Sequence, residues 1–375
     1  MRKTKTPPPV DSVAAARVAE YKAAALRENR RVTSYDVALV AGVSQSAVSR
    51  CFKPGASVSA ATYARVMKAA AGLDYIPNAA ARSLITRRSN MVAVVMSHVA
   101  NLYYPEALAD LSQQLARRGK RVLLFTMQHE SDVGHILADI WQYQVDGAII
   151  AASLSEEQVQ EFERRALPLV VFNRNLRGRT VNSVLCDQYE AGRMLATRLA
   201  RAGHRQFGIV AGPEASALAT ERRAGACERL HELGLPRPVV VPGRFDYAGG
   251  AQGLREIIAC LGRTPDVVIC GNDVMAQGCL DTARHELGID VPGTMSVAGL
   301  DAIEPAGWLS ADVTTLRQPM HSMALAAADL LTSMIEAHGA HTAEKRMFAP
   351  QLVEGATARL APPTADSLAD DSLAA

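Results

Sequence analysis

Two hydrophobic patterns divide the chain. Between residues 32 and 76, apolar positions recur at helical spacing in short runs that serine, glycine and proline interrupt. From residue 90 onward, short apolar runs that end in polar residues alternate with amphipathic stretches such as PEALADLSQQLARRG. The first pattern predicts a small all-α unit. The second predicts parallel sheets flanked by helices, and roughly a dozen elements over about 270 residues favour two lobes rather than one.

The all-α unit opens with two short helices joined by a glycine turn. Thr33 stands three residues before Asp36, which is the spacing of a capping box, and Ser44 can cap the second helix. Gly42, between the helices, is free to adopt positive φ. The second helix turns four polar residues outward, namely Gln45, Ser46, Ser49 and Arg50. These side chains favour a DNA-reading helix-turn-helix over an ordinary helical hairpin, which has no need for them.

Further candidates for DNA contact flank these helices. They are Thr33, Ser34, Tyr35, Ser44, Asn78, Ala81 and Leu84. A third helix is predicted from Ala60 to Ala71, with Ser59 as its cap and Gly72 as its stop. Beyond it, Asn78 can cap a helix of about two turns, which is too short to be stable in water without tertiary support. Within that segment, Leu84 is an isolated large apolar residue among basic ones.

Charge is distributed unevenly along the 375 residues. Residues 1–90 contain 15 Lys and Arg against 5 Asp and Glu, a net charge of +10, whereas the remainder contains 25 against 33, a net charge of −8. A basic head on an acidic body suits binding to a polyanion through the head alone. Free basic tails give the same asymmetry, so the charge supports the DNA-binding interpretation without proving it.

Several classes of protein are disfavoured. The six cysteines lack CxxC spacing and a histidine cluster, which predicts buried reduced thiols in a cytoplasmic protein rather than disulfides or a metal site. The sequence contains no signal-peptide pattern and no apolar stretch long enough to span a membrane. It also lacks GxGxxG, P-loop, nucleophile-elbow and HExxH motifs, and His204 has no carboxylate partner in its motif. These observations predict no enzyme, no cofactor and no metal.

Polar residues stand where the predicted strands of the core end. They are His98, Asn173, Arg174, Asp187, Asn272, Asp273 and Asp301. In open α/β sheets, ligands bind beyond the carboxyl ends of the strands. Each residue taken singly can be a cap for the following helix. Together they predict a cleft between two lobes that binds a small polar molecule.

From Val32 to Leu360 the chain resembles the LacI/GalR family of bacterial transcription regulators. The resemblance rests on the helix-turn-helix, on the segment YIPNAAARSLITRRS at 75–89 and on a core similar to type I periplasmic sugar-binding proteins. It implies a homodimer that binds a palindromic double-stranded operator, with paired hinge helices in the minor groove. Leu84 matches the leucine that the family wedges between base steps, where the bent DNA offsets the cost of unstacking. The alternative for Leu84 is packing on the core domain.

In the core, the resemblance implies an effector site. Aromatic residues would pack on effector rings, an arginine would clamp hydroxyls or carboxylates, and Asn and Asp would bind sugar hydroxyls. The matching residues are Tyr103, Tyr104, Asn173, Arg222, Phe245, Asn272 and Asp301. Core packing is the alternative for Tyr103 and Phe245. One departure lies in ALATERR, where Ala217, Leu218 and Ala219 replace the Ser or Thr of many members.

The resemblance further implies that a small-molecule effector, most often a sugar or sugar acid, shifts operator affinity. Substitution of Arg222 or Asp301 should then abolish the effector response without unfolding the core. The favoured function is a ligand-responsive repressor. The alternatives are a solute-binding sensor of a sugar uptake system, which would need an export signal and no head, and an α/β enzyme.

The predicted organisation has five parts. They are a flexible N-terminal extension or loosely held helix (1–31), a helix-turn-helix head (32–76), a hinge helix and linker (77–89), a two-lobed effector-binding and dimerisation core (90–360) and a disordered tail (361–375).

Overall fold

The computed structural model describes residues 10–53, 55–78, 88–97, 103–127, 132–174, 176, 180–337 and 342–360. Its contacts divide the chain into two compact units, Met1–Ser89 and Asn90–Ala375. The division falls where the hydrophobic pattern changes. Ala81 and Leu84 of the predicted hinge helix lie outside the described residues, as do His98 and the predicted tail.

The described part of the first unit, the head, is helical. Its helices are α1 (Val10–Arg27), α2 (Ser34–Ala41), α3 (Gln45–Cys51) and α4 (Ala60–Gly72). The capping box between Thr33 and Asp36 is present, Gly42 has a φ of 65°, and the Ser44 side chain accepts from the Ala47 N–H. Val37, Val48 and Val66 are fully buried where α2, α3 and α4 meet. The predicted helix-turn-helix is therefore confirmed.

The N-terminal extension is predicted to be either flexible or a loosely held helix. The structure has a helix there, α1, from Val10 to Arg27. Val18 and Tyr21 pack against the core of the head, and Ala25 is buried. Gly72 lies against Val18, and a Cβ at that position would lie 3.1 Å from a Val18 methyl group, which is closer than ordinary van der Waals contact. Burial of one face supplies the tertiary support that the alanine-rich composition does not reveal.

The first lobe of the second unit is built on a parallel sheet of six strands. Their order across the sheet is β11-β5-β4-β3-β1-β2. The strands are β1 (Met91–Ser97), β2 (Arg121–Met127), β3 (Gly147–Ala151), β4 (Leu169–Phe172), β5 (Ser183–Cys186) and β11 (Lys345–Phe348). Helices cover both faces, because side chains of successive strand residues point to opposite sides. One face packs on α5 (Tyr103–Arg117) and α12 (Met320–Ala337), and the other on α6 (Val133–Gln142) and α7 (Glu156–Arg164).

The second lobe repeats this layered arrangement around a smaller parallel sheet. Its strand order is β7-β6-β8-β9. The strands are β6 (Phe207–Ala211), β7 (Val239–Pro242), β8 (Val267–Cys270) and β9 (Ser296–Ala298). The covering helices are α8 (Gln188–Arg201), α9 (Ala217–Glu232), α10 (Tyr247–Leu261) and α11 (Asp273–Asp281). The predicted two-lobed α/β core is therefore confirmed.

Within the residues that the structure describes, the chain passes between the lobes at three places, which we call the crossovers: Asp187, Gln318–Pro319 and Ala349–Pro350. Two short antiparallel strands, β10 (Thr315–Arg317) and β12 (Gln351–Val353), lie beside the last two crossovers. The Asp187 N–H donates to the Phe348 carbonyl oxygen at 2.9 Å, which ties the first crossover to the third.

Helices α8 and α9 touch backbone to backbone. A Cβ on Gly192 would overlap the Arg222 carbonyl oxygen, and a Cβ on Gly225 would overlap the Tyr189 carbonyl oxygen. The two glycines therefore permit an approach that any side chain would prevent. This approach brings Gln188, at the start of α8, alongside Arg222.

Candidate DNA interface and effector site

The outer face of α3 presents polar side chains to solvent. Ser46, Ser49 and Arg50 are exposed, while Val48 on the opposite face is fully buried. The Arg50 Nε donates to the Ser46 carbonyl oxygen at 3.4 Å, so the guanidinium lies back along the helix. Gln45 is partly buried, and its Nε2 donates to Ser34 Oγ at 3.2 Å. This bond joins the start of α3 to the start of α2.

The other predicted DNA-binding residues of the described head lie near these helix starts or at its end. Tyr35 is 68% exposed on α2, beside Thr33 and Ser34. Ser44 caps α3 and shares a hydrogen bond of 3.0 Å with Ser46 Oγ. Asn78 is exposed at the end of the described head. The fold thus places most of the predicted contacts at the beginnings of two adjacent helices.

Alanine in place of Arg50 is expected to reduce the preference for operator over random DNA by about 1–3 kcal/mol, the value of one two-pronged contact with guanine. The measurement is a titration of both duplexes by electrophoretic mobility shift. Arg65→Ala, which removes an exposed arginine from α4, is the charge-matched control. Equal losses on both duplexes would reassign Arg50 to a phosphate contact.

Arg222 is the centre of the candidate effector site. It projects from α9 and is only 4% exposed. Its Nε donates to Gln188 Oε1 (2.7 Å), its Nη1 to the Gly271 carbonyl oxygen (2.6 Å) and its Nη2 to Asp301 Oδ1 (2.6 Å). Asp301 has a φ of 114°, which L-residues rarely adopt and which persists only where the surroundings hold it.

The buried polar network continues from Arg222 into the first lobe. The Gln318 Nε2 donates to Asp301 Oδ1 at 2.8 Å. The Gln318 Oε1 accepts from Gln188 Nε2 (3.0 Å), Asn173 Nδ2 (2.8 Å) and Tyr103 Oη (3.1 Å). Burial raises the pKa of Tyr103 well above its ordinary value, so its hydroxyl stays protonated and can donate. The network therefore joins both lobes through Gln188 and Gln318.

Three predicted effector residues lie outside this network. Asn272 caps α11, accepting from the Met275 N–H (2.9 Å), while its Nδ2 donates to the Phe245 carbonyl oxygen (3.2 Å). The Phe245 ring packs against Gly212 and the core of the lobe. The Tyr104 hydroxyl accepts from Arg174 at 2.8 Å. Four of the seven predicted residues are thus joined in one network, namely Tyr103, Asn173, Arg222 and Asp301.

Gln188 and Gln318 were not predicted. Gln188 directly follows the strand-end residue Asp187, so the rule that ligands bind at carboxyl ends of strands could have found it. Gln318 follows β10, a strand of three residues without a long apolar run, and its position could not be read from periodicity.

Asp273, next to this network, is fully buried. Its Oδ1 accepts from the Thr315 hydroxyl (2.6 Å) and its Oδ2 from the Ile303 N–H (2.9 Å). Burial, and next the negative charge of Asp301, raise the pKa of Asp273 to about 8. The side chain is therefore largely a neutral acid at pH 7.

A cavity of about 350 Å³ borders the network at Asn173 and Gln188. Its apolar lining includes Leu185, Leu218 and Met347. Ala217, another residue of the departure from the family pattern, also lines it. The cavity thus combines amide groups of the network with apolar and charged side chains, the latter being Arg174, Asp187, Glu221 and Lys345.

The remaining candidates for chemistry have structural partners. His204 is buried between the Leu199 carbonyl oxygen (2.8 Å) and Ser296 Oγ (2.9 Å), and burial lowers its pKa. All six cysteines are free thiols, and Cys186, Cys270 and Cys279 are buried. Within the ranges that the structure describes, no cluster of three or more His, Cys, Asp or Glu is arranged to hold a metal ion.

Comparison with known proteins agrees with this geometry. Residues 33–78 match the family model described as "Bacterial regulatory proteins, lacI family", and residues 196–358 match "Periplasmic binding protein-like domain". The HTH-type transcriptional repressor CytR of Escherichia coli strain K12 is 27% identical over 340 residues, which cover 90% of this chain and 99% of the relative. The repressor PurR of Photorhabdus laumondii is 30% identical over 330 residues, which cover 86% and 95%.

Solved structures give the same result. A lac repressor dimer bound to operator and the anti-inducer ONPF has a TM-score of 0.81 and 25% identity, covering 88% of this chain and 100% of that chain. A complex of the regulator CelR with cellobiose has a TM-score of 0.65 and 27% identity, covering 87% and 100%.

These similarities decide between the predicted classes. The solute-binding alternative does not account for the head, and the relatives are repressors rather than enzymes. The prediction of a DNA-binding transcriptional regulator with an effector-binding core is confirmed. Over the described segments, no helix is both long and apolar enough to cross a lipid bilayer. The matches along nearly the whole of its relatives show that this chain belongs to the LacI/GalR family of bacterial transcriptional regulators.

Proposed function

We propose that this chain is a homodimeric, cytoplasmic repressor whose operator affinity is controlled by a small polar effector. In a dimer, two α3 helices enter successive major grooves about one helical turn apart, so the operator is an approximate palindrome. The DNA contacts are made by the exposed residues of α3 and the start of α2, with the hinge residues Asn78, Ala81 and Leu84 adding a minor-groove contact.

The observation that carries the effector proposal is the buried network from Arg222 to Asn173. Its amides, phenol and guanidinium are the groups that pair with hydroxyls and carboxylates. In an interior site each such group left without a partner costs about 1–3 kcal/mol, which makes the site selective for a ligand with matching polar atoms. We therefore propose a sugar or sugar acid as the effector.

The adjoining cavity narrows the class of effector further. Ala217 and Leu218, in the stretch that departs from the family pattern, both line the cavity. A ligand there meets the amides of Asn173 and Gln188, apolar carbon, and the charged side chains that also line the cavity, namely Arg174, Asp187, Glu221 and Lys345. We propose that the effector presents hydroxyls to the network and an apolar face to Leu218.

Binding would couple to DNA through the lobes. Gln188 and Gln318 lie at two crossovers, so a ligand that replaces their mutual hydrogen bond changes the contacts that hold the lobes together. Coupling between two such sites is typically about 1–3 kcal/mol.

The test has two stages. A thermal-shift screen of the purified protein against sugars and sugar acids identifies the effector, and mobility-shift titrations of a palindromic duplex with and without it measure the coupling. The dimer is checked by sedimentation. An effector that binds the protein but leaves operator affinity unchanged would contradict the proposed control.

A further inference from the structure

The segment between α1 and α2 is bound to the start of the helix-turn-helix by one arginine. The Arg30 Nη1 and Nη2 donate to the two oxygens of Asp36 at 2.8 and 3.1 Å, and its Nε donates to Glu28 at 2.6 Å. Two parallel bonds between guanidinium and carboxylate fix orientation as well as distance. A lysine ammonium cannot reproduce that geometry.

Asp36 passes this constraint to the beginning of α2. Its Oδ2 also accepts from the Thr33 N–H and the Thr33 hydroxyl, each at 2.8 Å. Burial raises the pKa of Asp36, but the bonds from Arg30 and Thr33 outweigh burial and hold that pKa below its usual value. The carboxylate is therefore ionised at neutral pH and holds both residues at once.

The next residues along α2 are among the proposed DNA contacts. Ser34 follows Thr33 directly, and its Oγ accepts from Gln45 Nε2 of α3. A continuous series of contacts thus leads from Arg30 through Asp36 and Thr33 to Ser34 and Gln45.

Helix α1 holds Arg30 in place for this contact. The Arg30 N–H donates to the Ala25 carbonyl oxygen at 3.0 Å. Ala25 is buried against the head, and Lys22 forms an ion pair of 2.6 Å with Asp74 beyond the end of α4. Arg30 is therefore anchored to a helix that packs on the head, and is not a free side chain of a leader segment.

We infer that Arg30 is a positioning residue of the DNA-binding head, and that residues 10–31 are part of that head. Arg30 fixes the start of α2 through Asp36 and thereby orients Ser34, Tyr35 and Gln45 toward DNA. This inference rests on the proposed DNA contacts of those three residues. Arg30 also retains 36% side-chain exposure, so a direct phosphate contact is the competing role.

The experiment uses the full chain and a palindromic duplex selected from a randomised library with the wild-type protein. Affinities for this duplex and for random DNA are measured at several salt concentrations for Arg30→Ala, Arg30→Lys and Asp36→Asn. Arg27→Ala, which removes an exposed arginine at the end of α1, controls for loss of charge. All titrations are made well below the melting temperature of each variant's head.

We expect Arg30→Ala to lower the ratio of operator to random-DNA affinity about tenfold, the size of one lost base contact. Arg30→Lys should fail to restore the ratio, and Arg30→Ala in the Asp36→Asn background should lower it no further. Arg27→Ala should leave it unchanged.

Two results would overturn the inference. One is that Arg30→Lys restores the affinity ratio while the slope of log affinity against log salt concentration falls by about one in Arg30→Ala. This result would make Arg30 a phosphate contact. An unchanged ratio together with a lowered melting temperature would make it structural only. If Gln45→Ala and Arg50→Ala also left the ratio unchanged, the proposed DNA interface itself would be wrong, and this outcome is distinct from failure of Arg30 alone.

Discussion

Alanine in place of Arg222 is expected to destabilise the core by about 3–5 kcal/mol and to abolish the effector response. The side chains of Arg222 and Asp301 are only 4% and 6% exposed and lie 2.6 Å apart. Removal of the arginine leaves a carboxylate in the interior without its cation, and that carboxylate must then be protonated or exposed. The sequence alone predicts an effect on the response with folding largely intact, whereas the buried ion pair leads us to expect a loss of stability as well.

Denaturation by urea measures this effect in the full chain. Trp141 is partly buried and packs on Phe162, with ring centroids 4.8 Å apart, so its fluorescence reports unfolding of the core, whereas Trp308 is 56% exposed. Arg222→Ala/Asp301→Ala is the matched control and should cost less than the sum of the two single variants, because it leaves no charge unpaired. A midpoint for Arg222→Ala equal to that of the wild type would show that the ion pair contributes nothing to stability. The effector response is then compared by mobility shift at a temperature at which each variant is folded.

Asp273 is expected to make the core less stable as pH rises. Burial raises its pKa to about 8 in the folded state, whereas in the unfolded chain the pKa returns to an ordinary value near 3.8. Between these values the folded state holds a proton that the unfolded chain releases. The contribution of Asp273 is therefore complete below pH 4 and is lost progressively up to about pH 8, with a slope of up to about 1.4 kcal/mol per pH unit.

His204 acts in the opposite sense at lower pH. Its pKa is lowered from 6.5 by burial, so it adds stability as pH rises toward that value. The measurement therefore compares unfolding free energies from pH 6.5 to 8 in the wild type and in Asp273→Asn, because the residual slope from His204 is common to both and cancels in the difference. Asp273→Asn should flatten the dependence in this window, because the amide cannot ionise. A slope that persists in the asparagine variant would place its origin elsewhere.

The sequence predicted the elements of this fold better than their contacts. The cap residues Thr33, Asp36 and Ser44 and the turn residue Gly42 predicted α2 and α3, because caps and turns depend on residues that are close together in the sequence. The sequence allowed a loosely held helix in residues 1–31 but did not predict its packing on the head, because Val18 packs against Gly72, which lies 54 residues away in the chain. No local pattern contains that information.

The same distinction applies to the site. Arg222 was predicted at the site because the family resemblance implied it, and Asp301 because it stands at a strand end. Asn272 was placed there by the same rule, yet it serves as a helix cap. Gln318 was missed because its role depends on a crossover, and the position of a crossover follows from the order of the strands rather than from the residues around it.

The crossovers have a consequence for the synthesis of the chain. Residues 90–186 emerge from the ribosome before the second lobe, but the first lobe lacks β11 and α12 until residues 320–348 have been made. Until then, β5 has an unpaired edge and Leu331 does not cover the sheet. The second lobe is also incomplete until residue 357 has been made, because the Thr357 hydroxyl donates to the Val297 carbonyl oxygen of β9 at 2.7 Å. A nascent chain therefore completes both lobes together and late, and a chain cut off near residue 337 would leave apolar surface open to chaperones and proteases.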